Sequence, residues 1–318
     1  MELRDIYLAR GRIGKLVRRT PTEAAPFLGE ICGGEVWLKL ENQQITGSFK
    51  ARGAFNKILK LTEEEKGRGI VTASAGNHAQ GVGRAAQMLG IKATIVVPGN
   101  TPMVKRRAIE RYGVELIVHG DEYMEAERRA REMEAEEGMT FVSAYNDVDV
   151  AVGQGTLGLE MIEDQPELDV ILVPVGGGGM ISGVACAVKG VNGAVEVIGV
   201  QSIASPVMYE SIKQGHIVDI PLDDSVAEGL HGGIEEGSMT FELCRQLVDS
   251  FILVQEETIL RAMGLLLSEQ HQVVEGAGAV GVAAILENPE RFRGRKVGIV
   301  ISGGNVEAEL LREALEKV

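Results

Sequence analysis

The stretch DVILVPVGGGGMISGVACAV, residues 169–188, has three parts. Asp169 to Pro174 is an apolar run, which predicts a buried parallel strand. Gly176, Gly177, Gly178 and Gly179 then turn the chain before Met180. Ile181 to Val188 reads as a helix. Strand, glycine turn and helix in that order make an anion cradle, because glycines let backbone N–H groups converge and the helix N-terminus adds partial positive charge. A side chain at Gly178 would meet the anion or force a disfavoured backbone angle. A tight turn without a ligand is the plainer reading of the same residues. The spacing is neither G-x-G-x-x-G nor Walker A, which argues against a dinucleotide or ATP.

Three other stretches also open a helix after a polar or glycine turn, two of them directly after a strand. TGSFKARG, residues 46–53, precedes Ala54, Phe55, Ile58 and Leu59 at helical spacing, with Ser48 as the expected N-cap. Lys50 then lies in the first turn. There the helix dipole opposes an ammonium and burial lowers its pKa further, so a neutral, nucleophilic amine results. A solvated lysine is the alternative. TASAGNHAQG, residues 72–81, follows the strand-like Gly69–Thr72 and opens a helix over Ala79–Leu89. Its hydroxyl, amide, imidazole and backbone donors suit a carboxylate, although His78 alone reads more readily as a structural histidine than as a catalyst. Near the C-terminus, Lys296–Ile301 is followed by Ser302-Gly303-Gly304-Asn305, again strand then glycine turn then helix.

Further strands are expected at Val36–Leu40, Ile70–Thr72, Ala93–Val97, Glu115–Val118, Glu196–Gln201 and Phe251–Val254, with helices between them. The alternation predicts an α/β fold with parallel sheets, whose ligands bind beyond the C-terminal strand ends. The mixed-charge run Asp121–Glu137 predicts a solvated helix without a functional role.

GSFKARGA, SAGNHAQG, GGGGMISG and SGGN, in this order, resemble the fold-type II, tryptophan-synthase-β-like pyridoxal-phosphate enzymes, and within them the serine/threonine dehydratases. The resemblance spans nearly the whole chain, and Gly153–Glu160 is similar to that family as well. It implies a two-domain fold, with a small α/β domain over residues 49–145 inserted in a large cofactor-binding domain over 1–48 and 146–318. It implies pyridoxal 5'-phosphate as cofactor, with Lys50 as the Schiff-base lysine. The phosphate would lie on the amides of Gly176, Gly177, Gly178, Gly179 and Met180. Asn77 would bond the ring hydroxyl and Ser302 would face the pyridine nitrogen. The loop Ser74, Ala75, Gly76, Asn77 and His78 would hold the substrate carboxylate. The implied reaction is β-elimination from L-threonine or L-serine, giving 2-oxobutanoate or pyruvate plus ammonia, with no regulatory domain after Asn305.

Two departures from the family's serine racemases sharpen this. Ala75 stands where those racemases carry a serine that serves the second face of Cα, so elimination is expected to dominate. Gln201 and Val207 stand where they carry an acidic pair for a divalent cation, so no metal is expected there. The loop Glu228–Gly233 is expected beside the cofactor ring, and His231 either biases the substrate or ends a strand. Alternatives are a dehydratase of 3-hydroxyaspartate or a hydroxyectoine-derived amino acid, a serine racemase, and a non-catalytic amino-acid-binding protein; Lys50 argues against the last.

A chain of 318 residues suits one large or two mid-sized domains. Its 41 glycines are about twice the average usage and fall at strand-to-helix junctions. With 4% aromatic residues and a net charge of −14, the composition excludes nucleic acid and anionic membranes as partners. The expected partner is a small β-hydroxy amino acid, and the expected assembly a homodimer or homotetramer. Cys32, Cys186 and Cys244 form no C-x-x-C pair, and Met1–Asp5 lacks a secretory signature. A reducing, cytoplasmic setting is expected.

Overall fold

The computed structural model describes all 318 residues. Ten strands fall into two sheets. In chain order the strands are β1 (Thr22–Ala24), β2 (Glu35–Leu40), β3 (Ile70–Ala73), β4 (Ala93–Val97), β5 (Glu115–Val118), β6 (Thr140–Phe141), β7 (Val170–Pro174), β8 (Glu196–Ser202), β9 (Ser250–Val254) and β10 (Lys296–Ile301). The helices are α1 (Leu3–Ile13), α2 (Pro26–Cys32), α3 (Lys50–Leu59), α4 (Glu63–Arg68), α5 (Asn77–Leu89), α6 (Met103–Glu110), α7 (Tyr123–Glu137), α8 (Val148–Asp164), α9 (Gly179–Val191), α10 (Val207–Gln214), α11 (Met239–Leu247), α12 (Glu256–Gln270), α13 (Gly276–Glu287) and α14 (Ala308–Leu315).

The larger sheet runs β1-β2-β10-β7-β8-β9, parallel except for the antiparallel β1–β2 pair. The smaller runs β5-β4-β3-β6 and is parallel throughout. Its strands all come from one contiguous stretch between Ile70 and Phe141. Parallel strands need crossovers, and helices supply them between most successive strands.

Strand periodicity sorts the larger sheet's side chains into two cores. Leu38, Leu172, Ile198, Val200 and Ile299 join α12 and α13 on one face. Ile171, Val173, Val197 and Val300 join α8 and α9 on the other. Each such side chain contributes about 1.5–3 kcal/mol by leaving water. Helices α8 and α9 approach at backbone distance: a Cβ on Gly183 would lie 2.1 Å from the Ala151 carbonyl oxygen.

Beneath this packing lies a buried charge network. The Arg52 guanidinium donates to both oxygens of Glu41 at 2.8 Å and to those of Glu160 at 2.7 and 2.9 Å. It also reaches the Thr156 hydroxyl and the Arg18 carbonyl at 3.1 Å. Lys39 Nζ contacts Glu160 Oε2 and the Thr20 carbonyl, both at 2.7 Å. All four charged side chains are buried, and two cations face two anions. Burial pushes the Glu41 carboxyl up, but the Arg52 charge and hydrogen bonds outweigh it and hold it below the usual range.

The structure departs from sequence expectations in four places. Ser48 does not cap α3. Its backbone forms a bridge to Gly303, the Phe49 amide donates to the Ser302 carbonyl, and the helix starts at Lys50 with no side-chain cap. That long-range pairing fixes the chain where local preference would have placed a cap. Helix α5 begins at Asn77 and α9 at Gly179, each two residues before the apolar periodicity. The charged α7 is not wholly solvated: Ala126, Ala130 and Met133 are buried against the smaller sheet. The short β1 and β6 carry no readable alternation.

Arg52→Ala leaves two buried carboxylates with Lys39 alone, and is expected to cost roughly 3–5 kcal/mol of stability. Chemical denaturation of the cofactor-free protein measures this; a loss under 1 kcal/mol would contradict the network's role.

Candidate functional site

At the C-terminal ends of β3, β7 and β10, the chain turns into a cleft of about 1490 Å³. Lys50, Ser74, Ala75, Gly76, Asn77, His78, Gly176, Gly177, Gly178, Gly179, Met180 and Ser302 all line it. Four stretches far apart in sequence therefore meet at one place. The position is the one that open parallel sheets reserve for ligands, outside the carboxyl ends of their strands.

The glycine loop is built to present amides. None of the N–H groups from Gly176 to Ile181 has an acceptor within the protein. Gly178 has φ +84°, and a Cβ there would lie 2.7 Å from Met208 Cε and 3.1 Å from Thr240 Cβ. An added side chain would thus meet the wall behind the loop and a strained backbone angle. On the other glycines the crowding comes from Tyr145, 2.4 Å from a Cβ on Gly177, and from the Leu230 backbone, 3.0 Å from one on Gly176. Unpaired amides at the start of a 13-residue helix fit an anionic phosphate.

Lys50 is the first residue of α3 and is partly buried. Its Nζ donates to the Ala144 carbonyl at 2.8 Å. Burial lowers its pKa from 10.5 to about 8, with Glu275 opposing. A substantial share of the amine is therefore unprotonated at mildly alkaline pH, as a nucleophile for an aldehyde requires.

Asn77 is held from both ends of its amide. Nδ2 donates to Glu275 Oε1 at 2.7 Å, and Oδ1 accepts from Asn305 Nδ2 at 2.6 Å. One N–H of Asn77 remains for a ligand. Burial raises the Glu275 carboxyl to about 7, and the hydrogen bond from Asn77 opposes it.

His78 is 3% exposed, and its Nε2 lies 2.9 Å from the Val142 carbonyl. A carbonyl only accepts, so Nε2 carries the hydrogen and Nδ1 is a buried lone pair without a partner. Burial, together with the Lys50 charge, lowers its pKa to about 3. The imidazole is a neutral brace. A carboxylate at this loop would meet instead the Ser74 hydroxyl and the amides of Ala75, Asn77, His78 and Ala79, none of which has an acceptor in the protein.

His231 is exposed on the rim, with Nε2 3.2 Å from the Asp223 carbonyl, and it ends no strand. Gln201 is 1% exposed; its amide donates to the Ser205 carbonyl at 3.3 Å and accepts from the Tyr209 amide at 2.8 Å. Glu275, Tyr145 and the Ala144 carbonyl were not singled out by sequence reasoning, and Asn305 entered it only as the end of a glycine turn. The only signal for Glu275 was an acid directly before the small-residue helix α13.

The sequence profile of the family described as pyridoxal-phosphate dependent enzyme matches residues 13–303. The chain is 46% identical over 315 residues to the L-threonine ammonia-lyase of Thermotoga maritima, covering 99% of this chain and 78% of that one. Its fold superposes on the processed threonine deaminase isoform 2 of Solanum lycopersicum with a TM-score of 0.94 at 32% identity, covering 99% of this chain and 92% of the other. It superposes on maize serine racemase with a TM-score of 0.93 at 34% identity, covering 99% and 97%.

In the cofactor-free protein, the rate at which Lys50 reacts with a small aldehyde is expected to rise with pH through a midpoint near 8, because only the neutral amine reacts. Borohydride trapping across pH 6–11, with Lys50→Ala as the blank, checks this. A midpoint near 10.5 would place the amine in water.

Proposed function

Because the chain belongs to the pyridoxal-phosphate dependent enzymes, we propose that it is a threonine/serine ammonia-lyase. It eliminates water from L-threonine or L-serine, and the enamine so formed takes a water back as it releases ammonia, giving 2-oxobutanoate or pyruvate. The observation that carries this reading is the meeting of a pKa-lowered Lys50 with the unpaired amides of Gly176–Ile181 in one cleft. The Thermotoga relative, named an L-threonine ammonia-lyase, supports the choice of reaction.

When bound, pyridoxal phosphate supplies an aldehyde for amines and a ring that accepts the electron pair of a broken Cα–H bond. The amides of Gly176, Gly177, Gly178, Gly179 and Met180 are assigned to its phosphate. Asn77, oriented by Glu275 and Asn305, is assigned to its ring hydroxyl. Ser302 is assigned to its pyridine nitrogen. A serine hydroxyl is too weak an acid to protonate that nitrogen fully, so the ring would draw electrons only moderately, which favours prompt loss of the β-hydroxyl.

Lys50 takes the Cα proton as general base, and a pKa near 8 suits that task at neutral to mildly alkaline pH. The loop Ser74–His78 holds the substrate carboxylate through the Ser74 hydroxyl and backbone amides. Ala75 has no proton to give, so the second face of Cα goes unserved. This separates the reading from a racemase, although the fold is shared with maize serine racemase.

The same reading divides the chain into a large domain (1–48 and 146–318) and a small one (49–145), with the cleft between them. No helix is long and apolar enough to cross a membrane. All three cysteines are buried and unpaired. We read the protein as a cytoplasmic homodimer or homotetramer acting on a small β-hydroxy amino acid.

The test is a panel of β-hydroxy amino acids scored for 2-oxo acid formation, with L-threonine and L-serine expected to lead; turnover of 3-hydroxyaspartate alone would reassign the substrate. D-serine is expected to be a minor product beside pyruvate, and Ala75→Ser to raise its share several-fold by chiral chromatography. A wild type that racemises as fast as it eliminates would overturn the role of Ala75.

Chelation is expected to leave activity within about twofold, since the Gln201 amide already occupies the Ser205 carbonyl and no acidic pair stands there. Loss of activity in EDTA with recovery in Mg²⁺ would refute this.

A further inference from the structure

Behind the glycine loop, on the side away from the cleft, stands Thr240 in the first turn of α11. Its hydroxyl donates to the Gly177 carbonyl at 2.6 Å. Ser238 Oγ lies 2.8 Å from Thr240 Oγ1. Thr240 has one hydroxyl hydrogen, and Gly177 takes it, so the Ser238 hydroxyl is the donor to Thr240. The result is a chain of two hydrogen bonds, Ser238 to Thr240 to Gly177. Both side chains are buried, at 2% and 0% exposure.

Ser238 breaks a local rule to do this. It occupies the N-cap position of α11, where a serine normally accepts from an amide of the first turn, yet it makes no side-chain cap bond. The Phe241 amide, at the third helical position, donates to the Ser238 carbonyl at 3.3 Å, and the Met239 amide to Asn146 Oδ1 at 3.1 Å. A serine at a cap position that forgoes the cap bond points to another duty.

That duty follows from peptide geometry. The chain has no cis peptide bonds. In a trans peptide the C=O and the following N–H point in opposite directions. With the Gly177 carbonyl turned back onto Thr240, the Gly178 N–H turns forward, and it has no acceptor in the protein. Glycines on both sides of this bond leave its rotation free, so the loop itself does not choose the direction. Were the peptide to flip, a carbonyl oxygen would face the anion in place of an N–H.

We propose that Thr240, steadied by Ser238, is the positioning residue that locks the Gly177–Gly178 peptide with its N–H toward the cofactor phosphate. This rests on the pyridoxal-phosphate reading of the cleft and adds a residue that no cleft-lining motif contains. Thr240 reaches the cofactor only through the peptide it orients.

The experiment compares two probes on the cofactor-free protein by absorbance titration: pyridoxal phosphate, and pyridoxal, which has the aldehyde and ring but no phosphate. Thr240→Val keeps the shape and removes the donor. It is expected to weaken pyridoxal phosphate binding about tenfold or more while changing pyridoxal binding less than twofold. Thr240→Ser is expected to bind both as the wild type does. Ser238→Ala, a milder change that serves if the valine variant fails to fold, is expected to show a smaller loss confined to the phosphorylated probe. Equal losses for both probes, or an unchanged pyridoxal phosphate affinity in the valine variant (in Ser238→Ala if that variant is unfolded), overturns the proposal. A wild type that binds pyridoxal phosphate no better than pyridoxal overturns the cofactor reading, and the proposal with it.

Discussion

The guanidinium of Arg52 fastens together the parts that place the reactive lysine. It reaches Glu41 at the end of β2, Glu160 in α8 and the Arg18 carbonyl before β1, and it sits two residues after Lys50. Those partners belong to the larger sheet and the long helix that packs on it. Burying four charges is costly, and a hydrophobic cluster of equal volume would often be as stable. What charges add here is direction. A guanidinium between two carboxylates accepts few alternative orientations, so the first turn of α3 has a defined rotation about its axis. Lys50 therefore leaves the helix toward the Ala144 carbonyl and the cleft.

The segment after β6 forms the opposite wall. Val142 accepts from His78 and from the Thr72 hydroxyl, Ala144 accepts from Lys50, and Tyr145 packs on the glycine loop. Three residues within four positions thus touch three of the four motifs. The site is precise because its supports are backbone carbonyls and rings on short connections from β6 to α8.

Much of this was legible in the sequence. Each of the four motifs is a polar or glycine turn on one contiguous stretch, three of them directly after a strand (β3, β7 and β10) and three at a helix start (α3, α5 and α9), so local chemistry was enough to find it; the turn after β10 instead runs on to Glu307 before α14 begins. Eight strands were readable for the same reason. What depended on distant parts of the chain was not. Ser48 looked like a cap because Gly303, its bridge partner, is over two hundred residues away. His78 looked available to a substrate because nothing local marks the Val142 carbonyl as its partner. Glu275 and Thr240 stand beside no recognisable motif, and their meaning comes only from the Asn77 amide and the Gly177 carbonyl they touch. Ala126, Ala130 and Met133 were visible at helical spacing within a run of charges, and the charges obscured them.

The glycine loop has a consequence for how the protein responds to salt. The side chains that crowd it include Tyr145, Met208, Thr240 and Cys244, none of them charged, and peptide dipoles do the holding. Dipoles fixed in the interior are hardly screened, whereas the chain's net charge of −14 acts on an anion from a distance and is screened beyond about 10 Å at 0.1 M ionic strength. Raising the salt concentration therefore removes a repulsion and leaves the attraction in place. A phosphate site built on lysines or arginines loosens in salt; a phosphate bound to this loop as proposed would be held as firmly or more so.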